Sequence, residues 1–272
     1  DYKQAMEYFK MARDVEGYSK AFGLYRKELL GGYFLLVPLG LAAAAALLMG
    51  FFRFARRYNR ASAQSGGLKS QLMYSVHLVF RPFDGFWDLK NERRGGIKGA
   101  AVIFLLAVFS ILAKTLTQGF IFSPGEPGAG GLLSLTAVLF SALVLFCVAN
   151  WCVTSLMDGK GKLKDIFICV CYSLTPLVFL SIPAGILSNM LTLGESGFIT
   201  LLVAAGYLWT GILLFFGTMV THQYSLSKNV ASTILTLAGI VLIVFIGFLL
   251  VTLFNRIFAF VGNIILELSL RK

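Results

Sequence analysis

The 272-residue sequence has few charged residues, few histidines and few cysteines. Charged side chains make up 14% of it, well below the roughly one quarter that is usual in soluble domains, and 57% of the residues are hydrophobic. The four cysteines all lie inside long apolar runs, where thiols behave as small hydrophobes, and there are two histidines. These shortages argue against a disulfide framework in this portion of the chain and against a metal site.

The sequence also lacks the motifs of enzymatic chemistry. It contains no glycine-rich phosphate or dinucleotide loop and no zinc-protease motif. Its long apolar runs hold no acidic residue, and Lys114 is the only charge deep inside one of them. Ionisable groups at membrane depth are energetically costly and are kept for a reason. Their near absence predicts that the protein is not an enzyme and binds no cofactor.

Long apolar runs are what the sequence has in abundance. Six of them are long enough, at about 20 residues, to cross a hydrocarbon core of about 30 Å. They cover residues 31–52, 97–122, 131–157, 166–192, 197–221 and 230–254. The predicted fold class is therefore all-α, a polytopic membrane helix bundle of six transmembrane helices, one followed by a five-helix bundle, with additional interfacial helices.

Basic residues gather in alternate loops of this predicted bundle. The net charge is +11, yet loops 123–131 and 193–197 contain no Lys or Arg, whereas the connections after the first, third and fifth runs are basic. The positive-inside bias places the basic connections in the cytoplasm and both termini outside. This distribution favours anionic lipid of the cytoplasmic leaflet as a partner and argues against nucleic acid.

The cytoplasmic segment 81–96 mixes cations with large aromatic side chains. Such a mixture suits an interface that is anionic above and apolar below, and a protein-docking surface on the bilayer is the alternative. We expect two short interfacial helices, the first ended by Pro82 and the second capped by Asp84. The candidate membrane-interface or partner-docking residues are Arg81, Phe83, Asp84, Phe86, Trp87, Lys90, Arg93 and Arg94.

Small and polar residues within the runs suggest helix contacts. Gly40 and Ala44 lie one turn apart and would give a flat face for close helix packing, although the run is also consistent with a plain anchor. Asn150 is polar enough to bridge two helices, and contact with a substrate is the alternative.

The fourth run contains two prolines. Pro176 and Pro183 should each kink the helix, on the same face because they lie seven residues apart. A broken helix can form a substrate site, although prolines are common in membrane helices. Lys114 is a possible transport contact, as counter-charge to an anionic substrate, or a side chain that snorkels to the outer headgroups.

The two ends of the chain predict further helices. Tyr2, Ala5, Phe9 and Ala12 form an apolar helical stripe that is similar to the second helix of a tetratricopeptide repeat, so that we expect more of an ectodomain before Asp1. Residues 255–272 predict an amphipathic helix on the outer surface or an extension of the sixth span. The expected organisation is an extracellular helical end at 1–30, a first span at 31–52, a basic linker with interfacial helices at 53–96, a five-helix domain at 97–254 and a C-terminal helix at 255–272.

Three stretches, taken in their order along the chain, carry a resemblance to a known family. They are "HLVFRPFDGFWDLKNERRGG", "GKGKLKDIFICVCYSLTPLVF" and "GTMVTHQYSLSKN". Over residues 71–272 the chain resembles the bacterial branch of the Yip-domain family, five-span membrane proteins whose eukaryotic members interact with Ypt/Rab GTPases. The positions that carry this resemblance, without an assigned role, are Gly159, Gly161, Tyr172, Pro176, His222 and Tyr224.

The resemblance implies a non-enzymatic scaffold or auxiliary subunit in the plasma membrane of a bacterium. It also implies other membrane subunits as partners, and a carbohydrate ABC importer is the complex that it suggests. The extra first run and the repeat-like start depart from the eukaryotic pattern, so that a small GTPase is not the expected partner. The alternative function is a small transporter or channel that uses the proline-kinked fourth span.

Overall fold

The computed structural model describes residues 1–33, 36–61, 67–92, 94–123, 125 and 128–270, and within them the regular structure is entirely helical. The helices are α1 (Tyr2–Met11), α2 (Val15–Tyr33), α3 (Leu36–Ala61), α4 (Leu68–Phe80), α5 (Pro82–Asn91), α6 (Ile97–Thr117), α7 (Ala129–Leu156), α8 (Leu163–Ser173), α9 (Thr175–Ser188), α10 (Ser196–His222) and α11 (Leu226–Leu270). A short 3-10 turn, Leu193–Glu195, precedes α10.

The membrane-spanning part of the fold is built around the fourth apolar run. Five helical segments are long and apolar enough to cross a bilayer: Ile97–Thr117, Ala129–Leu156, Leu163–Ser188, Leu193–His222 and Leu226–Ile264. The third of these, which contains α8 and α9, is the most buried and packs against α6, α7 and α10. The last lies at the edge of the bundle, mainly against α7. The protein is therefore an all-α multi-pass membrane bundle.

Helix α2, on which α1 packs, docks on the end of the bundle whose loops contain no Lys or Arg. Arg26 of α2 donates to both carboxylate oxygens of Glu195, at 2.6 and 2.8 Å, and to the carbonyl of Met190 at 2.8 Å. The Ser19 hydroxyl accepts the N–H of Leu193 at 2.9 Å. These contacts fix α2 beside the connection between α9 and α10. The tetratricopeptide-like interpretation of this helical pair stays a prediction.

The fourth and fifth helices lie toward the other end, which we call the basic end and define by loops 157–162 and 223–225 together with α4 and α5. The ring of Phe52 in α3 meets that of Phe80 in α4 with centroids 5.4 Å apart, and Asn59 donates to the carbonyl of Met73 at 2.8 Å. Because α2 docks at one end and α3 meets α4 toward the other, this geometry supports a sixth crossing. The predicted run 31–52 includes residues 34 and 35, which lie outside the described residues, and six crossings stay a prediction.

The fourth run is two helices rather than one helix kinked twice. Because proline lacks an N–H and is tolerated in a first turn, Pro176 lies in the first turn of α9, after a break at Leu174. The freed carbonyl of Tyr172 accepts the Thr175 hydroxyl at 2.6 Å. Pro176 is buried and Pro183, inside α9, is exposed. The different exposure of the two prolines argues against the predicted shared face, and a kink at Pro183 stays a prediction.

The last helix continues without a break beyond residue 254. Helix α11 runs from Leu226 to Leu270, so that the tail extends the sixth predicted span and is not a separate helix on the surface. This is the second of the two alternatives that the sequence left open. Described residues in this C-terminal part of α11, such as Phe258 and Phe260, are exposed.

Helix α5 begins earlier than the sequence suggested and faces inward. It starts at Pro82, so that Asp84 lies in its first turn and the N-cap residue is Arg81, which corrects the predicted capping role of Asp84. Phe86 is 1% exposed and packs against Gly217, where an added Cβ would lie 2.8 Å from its ring. The prediction that Phe86 contacts lipid is therefore wrong, because one face of α5 packs against α10.

Two neighbouring aromatic residues provide a direct test of this packing. We expect Phe86→Ala to lower the free energy of unfolding by about 3 kcal/mol, because it opens a cavity at a buried position. The matched control, Trp87→Ala, should change it by less than about 1 kcal/mol, since Trp87 is 53% exposed. Denaturant titration of both variants in mixed micelles would measure the difference, and equal losses would contradict the inward orientation of α5.

Candidate functional site

Four of the six signature residues meet at the basic end. Gly159 and Gly161 lie in the loop between α7 and α8, His222 is the last residue of α10, and Tyr224 lies in the turn before α11. His222 is 1% exposed, and its ring stacks on that of Tyr224 with centroids 5.4 Å apart and planes at 23°. We call these four residues and Asn150 the histidine cluster.

A chain of hydrogen bonds runs through the imidazole of His222. The N–H of Gly161 donates to Nδ1 at 3.3 Å, and Nε2 lies 3.2 Å from Oδ1 of Asn150. Because Nδ1 accepts a hydrogen bond, the proton belongs on Nε2, which then donates to Asn150. The Asn150 amide donates in turn to the Thr236 hydroxyl at 3.2 Å.

This chain joins three spans and a loop. The Thr236 hydroxyl donates a hydrogen bond to the carbonyl of Ser232 at 2.8 Å, so that the series of donors ends on the backbone of α11. Asn150 belongs to α7, His222 to α10 and Thr236 to α11, and Gly161 brings in the loop after α7. Asn150 bonds to His222 in α10 and to Thr236 in α11, and these contacts agree with a helix-bridging role.

The two glycines of the cluster leave no room for a side chain. A Cβ added to Gly159 would lie 2.6 Å from Nδ1 of His222 and 2.7 Å from the hydroxyl oxygen of Tyr224. A Cβ on Gly161 would lie 2.7 Å from Cε1 of the same imidazole. The signature glycines therefore allow the loop backbone to approach the histidine ring closely enough to donate to it.

Tyr224 closes the cluster over the end of α7. Its hydroxyl lies within bonding distance of the carbonyls of Thr154, at 3.3 Å, and Met157, at 3.2 Å. Both carbonyls belong to the C-terminal end of α7, and that of Thr154 also accepts the N–H groups of Met157 at 3.2 Å and Gly159 at 2.8 Å. Burial raises the pKa of the Tyr224 hydroxyl, with the charge of Asp158 as a second cause, so that the group stays protonated as a donor.

A second contact ties α5 to this end of the bundle. Lys90 donates to the carbonyl of Thr221 at 2.5 Å, in the last turn of α10, where a cation is favoured by the helix dipole. Burial lowers the pKa of Lys90, while the nearby carboxylate of Asp165 opposes this shift. Lys90 thus points into the protein rather than toward lipid headgroups, which corrects its predicted interfacial position.

The remaining candidates of segment 81–96 lie near the surface. Arg81 and Asp84 are exposed and 4.0 Å apart, and Trp87 is exposed as well. Arg94 pairs with Glu92 at 2.7 Å. The exposed ring of Phe83 contacts Phe216, and Arg93 lies outside the described residues.

The other predicted positions are dispersed. The hydroxyl of Tyr172 donates to the carbonyl of Gln71 in α4 at 3.1 Å, so that this signature residue anchors α4 away from the histidine cluster. Lys114 lies toward the opposite end, where its Cα is 3.0 Å from a Cβ added to Gly185 of α9. It makes no ion pair with any acid among the residues that the structure describes.

The predicted packing face of the first run is not used within the described part of the chain. A Cβ on Gly40 would meet no described atom within 4 Å, and Gly40 is exposed. The side chain of Ala44 lies outside the described residues. Helix α3 instead packs through Phe52 and the fully buried Ala55. Close helix packing at Gly40 and Ala44 stays a prediction.

Sequence reasoning missed several hydroxyl and amide residues that complete the polar interior. Thr154, Asn229 and Thr236 are each at most 1% exposed. Asn229 donates to the carbonyl of Phe215 at 2.9 Å, which ties α11 to α10. The available signal was spacing, since Asn150 and Thr154 lie four residues apart on one helix face, as Ser232 and Thr236 do.

The histidine cluster is equipped to hold helices together rather than to react. Its imidazole bonds on both nitrogens, and none of its members is a carboxylate or a thiol. Among the described residues there is no group of three His, Cys, Asp or Glu that could hold a metal ion. The arrangement defines a polytopic membrane protein in which a polar cluster joins three of the spanning helices.

Comparison with known families agrees with this class. The family model of the Yip1 domain matches residues 76–261, which is more than half of the chain. The protein belongs to the Yip1 domain family. Neither a search of curated proteins nor a search of solved structures found a match. The matched region contains the histidine cluster, the first four segments that are long enough to cross a membrane, and the fifth up to residue 261.

Removing the imidazole tests the hydrogen-bond chain. We expect His222→Ala to lower the free energy of unfolding by about 3 kcal/mol, because the partly buried N–H of Gly161 and the buried side-chain oxygen of Asn150 lose their partner. His77→Ala, at the half-buried second histidine, serves as the matched control and should cost about 1 kcal/mol or less. Unfolding of the detergent-solubilised protein measures both, and a small loss at His222 would contradict the account of the cluster.

Proposed function

We propose that the protein is a non-enzymatic membrane scaffold or auxiliary subunit that docks onto a larger membrane complex. Membership of the Yip1 domain family supports an integral membrane role. The observation that carries the docking part of the proposal is the length of α11, which exceeds what a bilayer can cover.

The length of α11 is best measured from its charged residues. The uncharged stretch 229–255 separates Lys228 from Arg256. At a rise of about 1.5 Å per residue it spans about 40 Å, close to the thickness of a bilayer with its headgroups. Lys228 and Arg256 therefore match the two membrane surfaces.

The helix continues well past the second of these surfaces. Residues 257–270 would project about 20 Å beyond Arg256 if α11 stays straight. Phe258 is 72% exposed and Phe260 is 65% exposed. A projecting apolar helix in water is unfavourable and marks an interaction site, so that we assign this surface, residues 257–264, to another membrane subunit.

The charge pattern supports an orientation for this proposal, and the family resemblance suggests a partner. With the basic end in the cytoplasm of a bacterium, the tail of α11 and the docked helix α2 both lie outside. This arrangement suits a subunit whose outer parts meet a partner complex, and the resemblance suggests a carbohydrate ABC importer. Anionic lipid would meet the basic end.

The alternative of a small transporter or channel has less support. It would use the break between α8 and α9, but Tyr172, Thr175 and Pro176 are all buried there by the surrounding helices. Lys114 lies away from that break, toward the opposite end of the bundle. A flux through reconstituted vesicles that Lys114→Ala abolishes would favour transport over docking.

Copurification from native membranes tests the docking proposal. In mild detergent we expect the wild-type chain to retain stoichiometric partner subunits, identified by mass spectrometry. The double variant Phe258→Ser/Phe260→Ser should lose most of them, about tenfold, because two aromatic contacts are removed. Its own yield and melting temperature should stay unchanged, since both rings are exposed.

The control variant is Leu133→Ser, which alters another exposed apolar residue near the same end of the bundle. It should retain the partner subunits. Equal recovery from the tail variant and the wild type would contradict docking through α11, and a wild-type chain that always migrates alone would contradict the scaffold role itself.

A further inference from the structure

A cavity of about 460 Å³ lies between α3, α4 and the residues that follow α5. Its size is within the range of small-molecule sites in proteins. Three arginines line it, Arg56 from α3, Arg81 from the junction of α4 and α5, and Arg94 from the connection to α6. No carboxylate is among the described residues that line this cavity.

The acidic residues near the cavity leave much of this positive charge uncompensated. Glu92 takes only Nε of Arg94, at 2.7 Å, and Asp84 is 4.0 Å from Arg81 at an exposed position. Asp88 accepts the hydroxyl of Tyr74 at 2.6 Å. Arg56 has no ion pair with a described acid.

Aromatic rings hold two of the guanidinium groups in place. The guanidinium of Arg56 lies 5.8 Å from the ring centre of Phe80, and that of Arg94 lies 5.6 Å from the ring centre of Tyr74. Such contacts orient a guanidinium while its N–H groups stay available as donors. Planar arginine forks are well suited to bind phosphate oxygens in pairs.

One wall of the cavity is apolar and continues onto the membrane bundle. Phe52 meets Phe80 edge to face, and it also lies 6.3 Å from the ring centre of Phe179 in α9. Close by, the indole N–H of Trp209 in α10 donates to the carbonyl of Val79 at 3.2 Å. The cavity is therefore cationic on one side and open to the apolar surface of the spanning helices on the other.

We infer that this cavity binds a phosphate group, held by Arg56, Arg81 and Arg94. The phosphate can come from a lipid headgroup or from a soluble phosphate ester. The apolar wall formed by Phe52 and Phe80 favours the lipid, because acyl chains would lie along it while the phosphate meets the arginines. This site is independent of the docking surface on α11.

Binding of short-chain probes to the full chain in maltoside detergent tests the site. Titration calorimetry should show one saturable site per chain for dioctanoyl phosphatidic acid and none for dioctanoyl glycerol, which lacks the phosphate. Inorganic phosphate and glycerol 3-phosphate identify the source. Weak binding of both supports a lipid headgroup, and binding as tight as that of the lipid supports a soluble phosphate.

Substitutions assign the binding to named residues. Arg56→Gln and Arg94→Gln should each weaken the affinity for phosphatidic acid by about tenfold or more, the loss expected for a charge-assisted hydrogen bond. Arg57→Gln is the matched control, because Arg57 is the next residue on α3, is exposed and does not line the cavity. Arg56→Lys, which keeps the charge, should retain more affinity than Arg56→Gln.

Melting temperatures of the variants show whether each is folded, and Arg56 is exposed enough for its substitution to leave the fold intact. Two results would overturn the inference. One is the absence of saturable binding of every phosphate probe to the wild-type chain. The other is equal affinity of Arg56→Gln and Arg57→Gln for phosphatidic acid.

Discussion

The fold depends on the rule that a polar group placed among membrane helices must find its partner within the protein. Hydrocarbon supplies no donors or acceptors, so that each unpaired group is costly. The imidazole of His222 meets this rule by accepting from Gly161 on one nitrogen and donating to Asn150 on the other. Since the chain of bonds continues to Thr236, one histidine fixes the relative positions of α7, α10 and α11.

The remaining structure at the basic end is arranged around that anchor. Helix α5 reaches the end of α10 through Lys90 and Thr221 and buries Phe86 against Gly217. Helix α4 is held by the hydroxyl of Tyr172, and α3 packs on α4. A bundle that is fixed internally in this way can offer its surfaces for binding, both the arginine-lined cavity beside α4 and the projecting tail of α11.

Much of this organisation could be predicted from the sequence. Apolar run length gave the membrane class and the approximate spans, because crossing a bilayer requires a minimum length. The polarity of Asn150 within an apolar run suggested a bridge, but its partners could not be named, since contacts between distant segments depend on how helices rotate. The same limit explains why Phe86 was grouped with the surface aromatics although it is buried. It also explains why the cavity was not predicted, since its arginines come from three separate segments.

The tautomer of His222 is the most direct test of this account. With ¹⁵N-labelled histidine in the detergent-solubilised protein at neutral pH, nuclear magnetic resonance distinguishes a protonated Nε2 from a protonated Nδ1. The account predicts that the buried imidazole carries its proton on Nε2 alone, with Nδ1 accepting the N–H of Gly161. A resonance from an Nδ1-protonated or doubly protonated ring at His222 would contradict it.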